Sequence, residues 1–350
     1  MALHRSALAT VAAVTTSLSL LLAGCSSDEG TTSAASSTAA TAESTSTAAA
    51  GSVTVEDNHG EHTVSLPIGK VASTDNRSFA LLEAWGVDLV AAPKPLIPFT
   101  VTKYTDDPKV ADLGNHREPN LEALAAEQPD LIINGQRFER FYDDIVKLNP
   151  KATVLDFEPR EGEDLDDELI RQTEELGKVF GKESEAAKTI QDFKDAKERA
   201  KKAYKDSDTV MAVNVTGGEV HFIAPKVGRT YGPLFEMLDL KPALEVPEGS
   251  SDHKGDDISV EAIAQANPDW ILVLDRDAGT NKRKDADFVK AQQVIDKNEA
   301  LANVTAVKEG HVYYAPQDTY TNESIITYTT ILNQLADAFE SGKGNQESDS

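Results

Sequence analysis

One pattern occurs twice in this chain and constrains its fold more than any other feature. Asn120-Leu121-Glu122-Ala123-Leu124 leads through Glu127-Gln128-Pro129-Asp130 into the apolar run Leu131-Ile132-Ile133. Ser259-Val260-Glu261-Ala262-Ile263 leads in the same way through Ala266-Asn267-Pro268-Asp269 into Trp270-Ile271-Leu272. In each copy a polar residue caps a helix, a glutamate occupies the first turn, where the helix dipole favours an anion, and proline stops the helix ahead of a buried strand. The chain is therefore expected to fold as two related lobes. Capping alone accounts for Glu122 and Glu261 taken singly. Their matching placement on two lobes also makes them candidates for an outward-facing pair that docks a partner.

The remaining pattern alternates short apolar strands with helices. Strands are expected at 70–74, 131–133 and 153–155 and helices at 78–85, 121–127 and 140–148, which implies parallel sheets with helices on their faces. Ahead of them, Val53-Thr54-Val55 and Thr63-Val64-Ser65-Leu66 flank the turn residues Asp57-Asn58-His59-Gly60 and read as an antiparallel hairpin at a lobe edge. The donors Asp57, His59, Glu61 and His62 are read as solvated polar residues, because an edge turn offers no enclosure and a transition-metal site draws three or four ligands together. Between the lobes, Ala186, Ala187, Ile190, Phe193, Ala196, Ala200, Ala203 and Tyr204 follow helical spacing without an intervening Pro or Gly. A helix of about 23 residues there rises about 35 Å at 1.5 Å per residue, enough to cross from lobe to lobe. The expected fold class is α/β, two Rossmann-like lobes bridged by one long helix, with the ligand cleft between them.

The first residues carry an address. A basic start at His4 and Arg5, an apolar stretch from Ala7 and the small residues of Leu22-Ala23-Gly24-Cys25 form a bacterial lipoprotein signal. The run is short for a bilayer span of about 20 strongly apolar residues. Cys25 is the only cysteine, so no disulfide forms within the chain, and it is the expected lipidation site. Acyl chains such as palmitate hold well when several are attached, at about 0.8 kcal/mol per buried methylene. The Ser/Thr/Ala-rich stretch after it has too little apolar content to order itself and serves as a tether with a mean reach of roughly 30 Å. The expected organisation is a signal at 1–24, tether at 25–52, first lobe at 53–181, connecting helix at 182–206, second lobe at 207–342 and polar tail at 343–350. The protein is placed on the extracytoplasmic face of the cell membrane, a monomer that touches the membrane through its lipid alone.

A formal net charge of −25 argues against nucleic acid or anionic lipid as partner. An anionic ligand would then have to be met by local cations. In open parallel sheets the ligand crevice lies at the carboxyl ends of the strands. Arg77, Arg137 and Arg276 follow strand ends, and Arg229 sits in the loop after Val220-His221-Phe222-Ile223. Guanidinium groups give forked hydrogen bonds to carboxylate, phosphate or catecholate oxygens and lie against aromatic rings. The second lobe adds His253 and Tyr320 in loops, whose imidazole and phenolate both suit ferric iron. No Gly-x-Ser-x-Gly elbow and no Gly-rich phosphate loop with its lysine occurs, which argues against a hydrolase and against an ATPase in this chain.

From about residue 53 to 339 the chain resembles the substrate-binding lipoproteins of ABC importers for iron siderophores, in the branch that takes catecholates such as petrobactin. The stretches that carry the resemblance are Leu131 to Tyr142, Pro225-Lys226-Val227-Gly228-Arg229-Thr230-Tyr231-Gly232, His253-Lys254-Gly255 and Val273-Leu274-Asp275-Arg276. The resemblance implies that Arg137, Arg229 and Arg276 surround a ferric catecholate, with Arg77 and Tyr104 contributing from the first lobe. It implies that His253 and Tyr320 fill two iron positions left open by a four-donor siderophore, and that Glu122 and Glu261 meet arginines of the permease. Import would be powered by a separate ATPase. This is capture without chemistry, with no intrinsic cofactor and with ferric iron arriving as its siderophore complex. The same fold holding haem, cobalamin or a hydroxamate siderophore is the alternative, and a surface hydrolase the distant one.

Overall fold

The computed structural model describes residues 51–246 and 249–347; the expected signal, the Cys25 anchor and the tether up to residue 50 lie outside the described residues. Strands β1 (Gly51–Asp57) and β2 (Gly60–Leu66) form the antiparallel hairpin. Gly51 and Ser52, grouped by composition with the tether, belong to its first strand. Glu61 is exposed as expected, but Asp57 is buried and the two histidines have partners. Asp57 Oδ1 lies 2.9 Å from His62 Nε2, its Oδ2 accepts from the Asp156 N–H at 2.8 Å, and the His59 ring stacks on Tyr142 at 3.6 Å. These contacts clamp the hairpin to the first lobe.

That lobe is built on β3 (Val71–Ser73), β4 (Ala91–Ala92) and β5 (Ala111–Asp112), a small pair β6 (Gly114–Asn115) and β7 (Glu118–Pro119), then β8 (Leu131–Asn134) and β9 (Thr153–Asp156). Five of them make one parallel sheet in the order β5-β4-β3-β8-β9. Helices α1 (Phe79–Ala84), α2 (Thr102–Thr105), α3 (Leu121–Glu127) and α4 (Tyr142–Leu148) accompany it. Strand β8 is apolar without alternation because both its faces are covered. Leu131 and Ile133 pack with Phe79 and Leu82, whereas Ile132 packs with Leu124, Phe138 and Ile145.

Two long helices then leave the lobe. Helix α5 (Leu165–Phe180) has no counterpart among the sequence-based expectations, and α6 (Glu183–Ala203) is the connecting helix. Its 21 residues correspond to roughly 30 Å. Near its start Ala186 packs with Leu176 and Val179 in the first core, and further along Phe193, Ala196 and Ala200 pack in the second. Gly177 permits the close approach of α5 to α6, since a Cβ there would lie 2.7 Å from that of Ala186.

The second lobe carries β10 (Val210–Thr216), β11 (Glu219–Ile223), α7 (Leu234–Met237), α8 (Val260–Ala266), β12 (Trp270–Asp275), α9 (Ala291–Lys297), α10 (Thr305–Glu309), β13 (Val312–Tyr314) and α11 (Ile325–Ser341). Its sheet order is β11-β10-β12-β13, parallel except for β11. The duplicated pattern folds alike in both lobes. Asn120 and Ser259 accept from the N–H groups of Ala123 and Ala262, and Gln128 and Asn267 end the helices in the left-handed region at φ +51° and +47°. Asp130 Oδ2 accepts from the Gly69 and Lys70 N–H groups, as Asp269 Oδ2 accepts from Thr209. Beyond α11 the expected polar tail is docked as far as it is described, with the Asn345 side chain bonding both backbone groups of Tyr314 and covering the β13 edge.

Candidate ligand-binding cleft

The carboxyl ends of the parallel strands face a cavity of about 400 Å³ to which both lobes contribute, the first through Arg77, Gln136, Arg137 and Glu158 and the second through Arg229 and Thr230. A cavity of about 430 Å³ beside α11 and the C-terminal residues is slightly larger, but no arginine lines it and it borders only the second lobe. The cationic crevice is the better candidate for an anionic ligand.

Each arginine is placed by its strand. Arg137 lies in the 3-10 helix Gln136–Phe141 directly after β8, and Arg276 follows β12. Arg229 is presented by the loop 224–232 after β11, which is so tight that a Cβ on Gly228 would lie 2.5 Å from the Ala224 carbonyl oxygen. The three guanidiniums converge on one ring. Their central carbons lie 5.5, 4.6 and 5.0 Å from the centroid of Tyr320 for Arg137, Arg229 and Arg276 respectively. Tyr320 is itself buried, and Gly279 leaves it room, since a Cβ there would come within 2.8 Å of the Tyr320 Cβ. Burial pushes the Tyr320 phenol up, but Arg229, Arg276 and Arg137 together outweigh burial and hold it below the ordinary tyrosine value. The site favours negative charge.

The arginines differ in what neutralises them. Arg77 Nη1 donates to both carboxylate oxygens of Glu158, at 3.0 and 2.9 Å, so its charge has a partner before any ligand arrives. Arg229 donates from Nε and Nη2 to Glu323, at 3.3 and 2.6 Å. Arg276 lies 3.3 Å from Asp277. Among the described residues Arg137 has no carboxylate partner; it donates to Gln136 Oε1 at 2.8 Å and to the Tyr320 carbonyl at 3.5 Å.

Two expected site residues stand elsewhere or apart. Tyr104 is not in the cleft: it is buried in the first core beside Phe79, with its hydroxyl donating to the Val87 carbonyl at 2.9 Å. An apolar ring with a satisfied hydroxyl is core material. His253 is half-exposed on the loop before α8, bordering a small recess that it shares with Arg229. Burial, with Arg276, Lys254 and Arg229 acting in the same sense against Asp252, holds its imidazole below the ordinary histidine value. A neutral imidazole is the form that binds metal. Glu122 and Glu261 are exposed in the first turns of α3 and α8.

Sequence reasoning missed the polar residues beneath the arginines. Glu323 is buried and accepts from Thr230 and, across the lobes, from Gln136 Nε2 at 3.0 Å. Asn76 Nδ2 reaches the Thr321 carbonyl at 2.9 Å, and Thr100 bonds Asp318. Segment 318–323 thus ties the lobes together. Among the described residues no group of three or more His, Cys, Asp or Glu is placed to hold a metal ion, and no helix is long and apolar enough to cross a membrane.

A family model described as periplasmic binding protein matches residues 71–319. The ferric-anguibactin-binding protein FatB of Vibrio anguillarum is 28% identical over 297 residues, covering 83% of this chain and 88% of its own. The petrobactin-binding protein YclQ of Bacillus subtilis is 28% identical over 301 residues, covering 82% and 88%. The solved structure of YclQ superposes with a TM-score of 0.69 at 25% identity, covering 83% of this chain and 99% of that one. The siderophore-binding protein BauB, solved with two acinetobactin molecules and ferric iron, gives 0.71 at 23% identity over 83% and 99%, a likeness of fold.

Proposed function

Because this chain belongs to the periplasmic binding protein family, we propose that it captures a ferric siderophore of the catecholate class between its lobes and delivers it to an ABC permease for iron uptake. The observation that carries this reading is the convergence of three guanidiniums, one from the first lobe and two from the second, on the buried phenol of Tyr320. A ferric tricatecholate carries several negative charges and flat rings. Guanidiniums in a partly desolvated cleft answer both, by forked hydrogen bonds to the oxygens and by stacking. Each close contact contributes a few kcal/mol at most, so affinity comes from several acting together. The likeness to FatB and YclQ, which bind ferric anguibactin and petrobactin, supports a siderophore as the ligand.

No bond is made or broken in this account. The phenol of Tyr320 and the neutral imidazole of His253 are available to iron when a four-donor siderophore leaves positions open. Arg77 contributes less charge to the ligand than Arg137, because Glu158 is bonded to it directly. Cys25 is the lipid anchor outside the cytoplasm, the body is a monomer, and Glu122 and Glu261 offer one carboxylate per lobe to basic residues of the permease, whose ATPase is a separate chain.

The test is a titration with a ferric four-donor catecholate, read in the iron charge-transfer absorbance. Binding with a band shift that disappears in His253→Ala and in Tyr320→Phe is expected. Binding with no shift in the wild type would mean that the protein holds the complex without ligating its iron. Haem, cobalamin and a ferric hydroxamate belong in the same series, and tighter binding of any of them would overturn the catecholate assignment.

A further inference from the structure

Two residues beside the cleft arginines hold a backbone conformation that their side chains disfavour. Gln136, immediately before Arg137, has φ +47°, and Thr230, immediately after Arg229, has φ +67°. The left-handed region is uncommon for any residue but glycine and an outlier for a β-branched one, so something nearby must hold each in place. Both side chains donate to the same group. Gln136 Nε2 reaches Glu323 Oε2 at 3.0 Å from the first lobe, and Thr230 Oγ1 reaches Glu323 Oε1 at 2.7 Å from the second. Arg229 donates to both oxygens of that carboxylate as well. The other ends of the two strained residues are also fixed. The Gln136 N–H donates to Glu158 at 2.6 Å, its Oε1 accepts from Arg137, and the Thr230 carbonyl accepts from the Tyr328 hydroxyl at 3.0 Å.

A carboxylate at the floor of an anion site is a paradox if charge alone is counted. It repels the ligand that the arginines attract. It makes sense as a scaffold, since one buried acceptor with four lone-pair sites can fix a donor from each lobe at once. We propose that Glu323 is a positioning residue: through Gln136 and Thr230 it aims Arg137 and Arg229 at the ligand together, and through Gln136 it ties that aim to closure of the lobes. This rests on the catecholate reading above and adds to it a residue that acts on the ligand through the side chains it holds. The net charge of the cleft is then secondary to where its guanidiniums point.

The experiment uses the ferric tricatecholate as probe and compares the wild-type chain with Glu323→Gln, Gln136→Gly and the double variant. Glycine accepts φ +47° without strain, so Gln136→Gly removes the tie while relieving the backbone, and it keeps the question answerable if Glu323→Gln does not fold. Each single variant should bind about tenfold more weakly, and the double variant about as weakly as either single, because both remove one unit. The sign is decisive for Glu323→Gln, since deleting a negative charge from an anion site should by simple electrostatics tighten binding. The dependence of affinity on salt should stay as steep as in the wild type or become steeper, which mere loss of folded structure would not give. Unchanged or tighter binding by Glu323→Gln, or losses that multiply in the double variant, would overturn the proposal. A wild-type chain that does not bind the probe would instead overturn the catecholate reading; if it binds haem or a ferric hydroxamate and the same variants lose that ligand, Glu323 keeps its role.

Discussion

The two lobes carry the same structural module and use it differently at the cleft. Asn120 corresponds to Ser259, Glu122 to Glu261, Pro129 to Pro268 and Asp130 to Asp269, and the same spacing in sequence places Arg137 opposite Arg276. Both arginines reach the Tyr320 ring, yet Arg276 sits beside Asp277 whereas Arg137 has only neutral partners among the described residues. Two buried carboxyls nearby diverge further. Asp75 in the first lobe is pushed up to about 7 by burial, helped by the nearby Glu158 carboxylate, because the opposing pull of Arg77 and of the Gln172 hydrogen bond does not outweigh burial. Glu323 is held down to about 2 despite its burial, because Arg229 bonds it directly, with Arg77 and Thr230 in support. Position at a strand end brings an arginine to the cleft, and its nearest carboxylate decides how much of its charge a ligand feels.

The largest effects are expected when the arginines are removed one at a time. Arg137→Gln is expected to weaken ferric catecholate binding by about a hundredfold and Arg276→Gln by about tenfold, in line with charge-assisted hydrogen bonds of roughly 1.5–3 kcal/mol. Equal losses in calorimetric titration would mean that Asp277 does not temper Arg276. Arg77→Gln belongs to the other class. It leaves the Glu158 carboxylate half-buried without its partner and should lower stability by about 2 kcal/mol in denaturant unfolding, while affinity changes by less than about threefold. A larger loss of affinity than of stability would put Arg77 among the ligand-binding cations.

The two carboxyls give opposite dependences on pH. For Asp75 the folded value lies above the unfolded one, so its contribution to stability is present below about pH 4 and is lost as pH rises through about 7. For Glu323 the folded value is depressed, so its contribution is present above about pH 4.5 and is lost as pH falls toward about 2. Thermal midpoints of Asp75→Asn should therefore fall less than those of the wild type between about pH 5 and 8. A parallel shift of the two curves would mean that Asp75 titrates like an exposed carboxylate. The smallest expected effect is at the lobe surfaces: Glu122→Ala and Glu261→Ala should leave solution affinity within about twofold and reduce uptake of iron by cells, the ordinary outcome for exposed charges distant from a ligand. A change in affinity would contradict their assignment to the docking face.

Local chemistry made much of this readable in the sequence. Helix caps, the proline stops and the apolar strands lie within short windows, so the duplicated module, the parallel sheets and the long α6 could be read directly. Helix α5 was readable in principle, because Leu165, Leu169, Leu176 and Val179 lie on one helical face, but its many charged residues masked that spacing. The arginine positions followed from strand ends. Tyr104 was misplaced because nothing local separates a core tyrosine from one that lines a cleft. Glu323 carried no signal at all: its partners Gln136, Arg229 and Thr230 are far from it in the chain, and only the folded lobes bring them together.

If three arginines select the ligand by charge and ring shape, a change in the ligand's charge should show it. The direct measurement is a pair of titrations at equal ionic strength, ferric tricatecholate against a ferric trihydroxamate complex of lower charge, with the wild type and the triple variant of Arg137, Arg229 and Arg276 to Gln. The wild type is expected to prefer the catecholate by about a hundredfold or more, and the triple variant to lose most of that preference. Equal affinity for the two complexes, or a catecholate preference that survives in the triple variant, would contradict selection by the arginines.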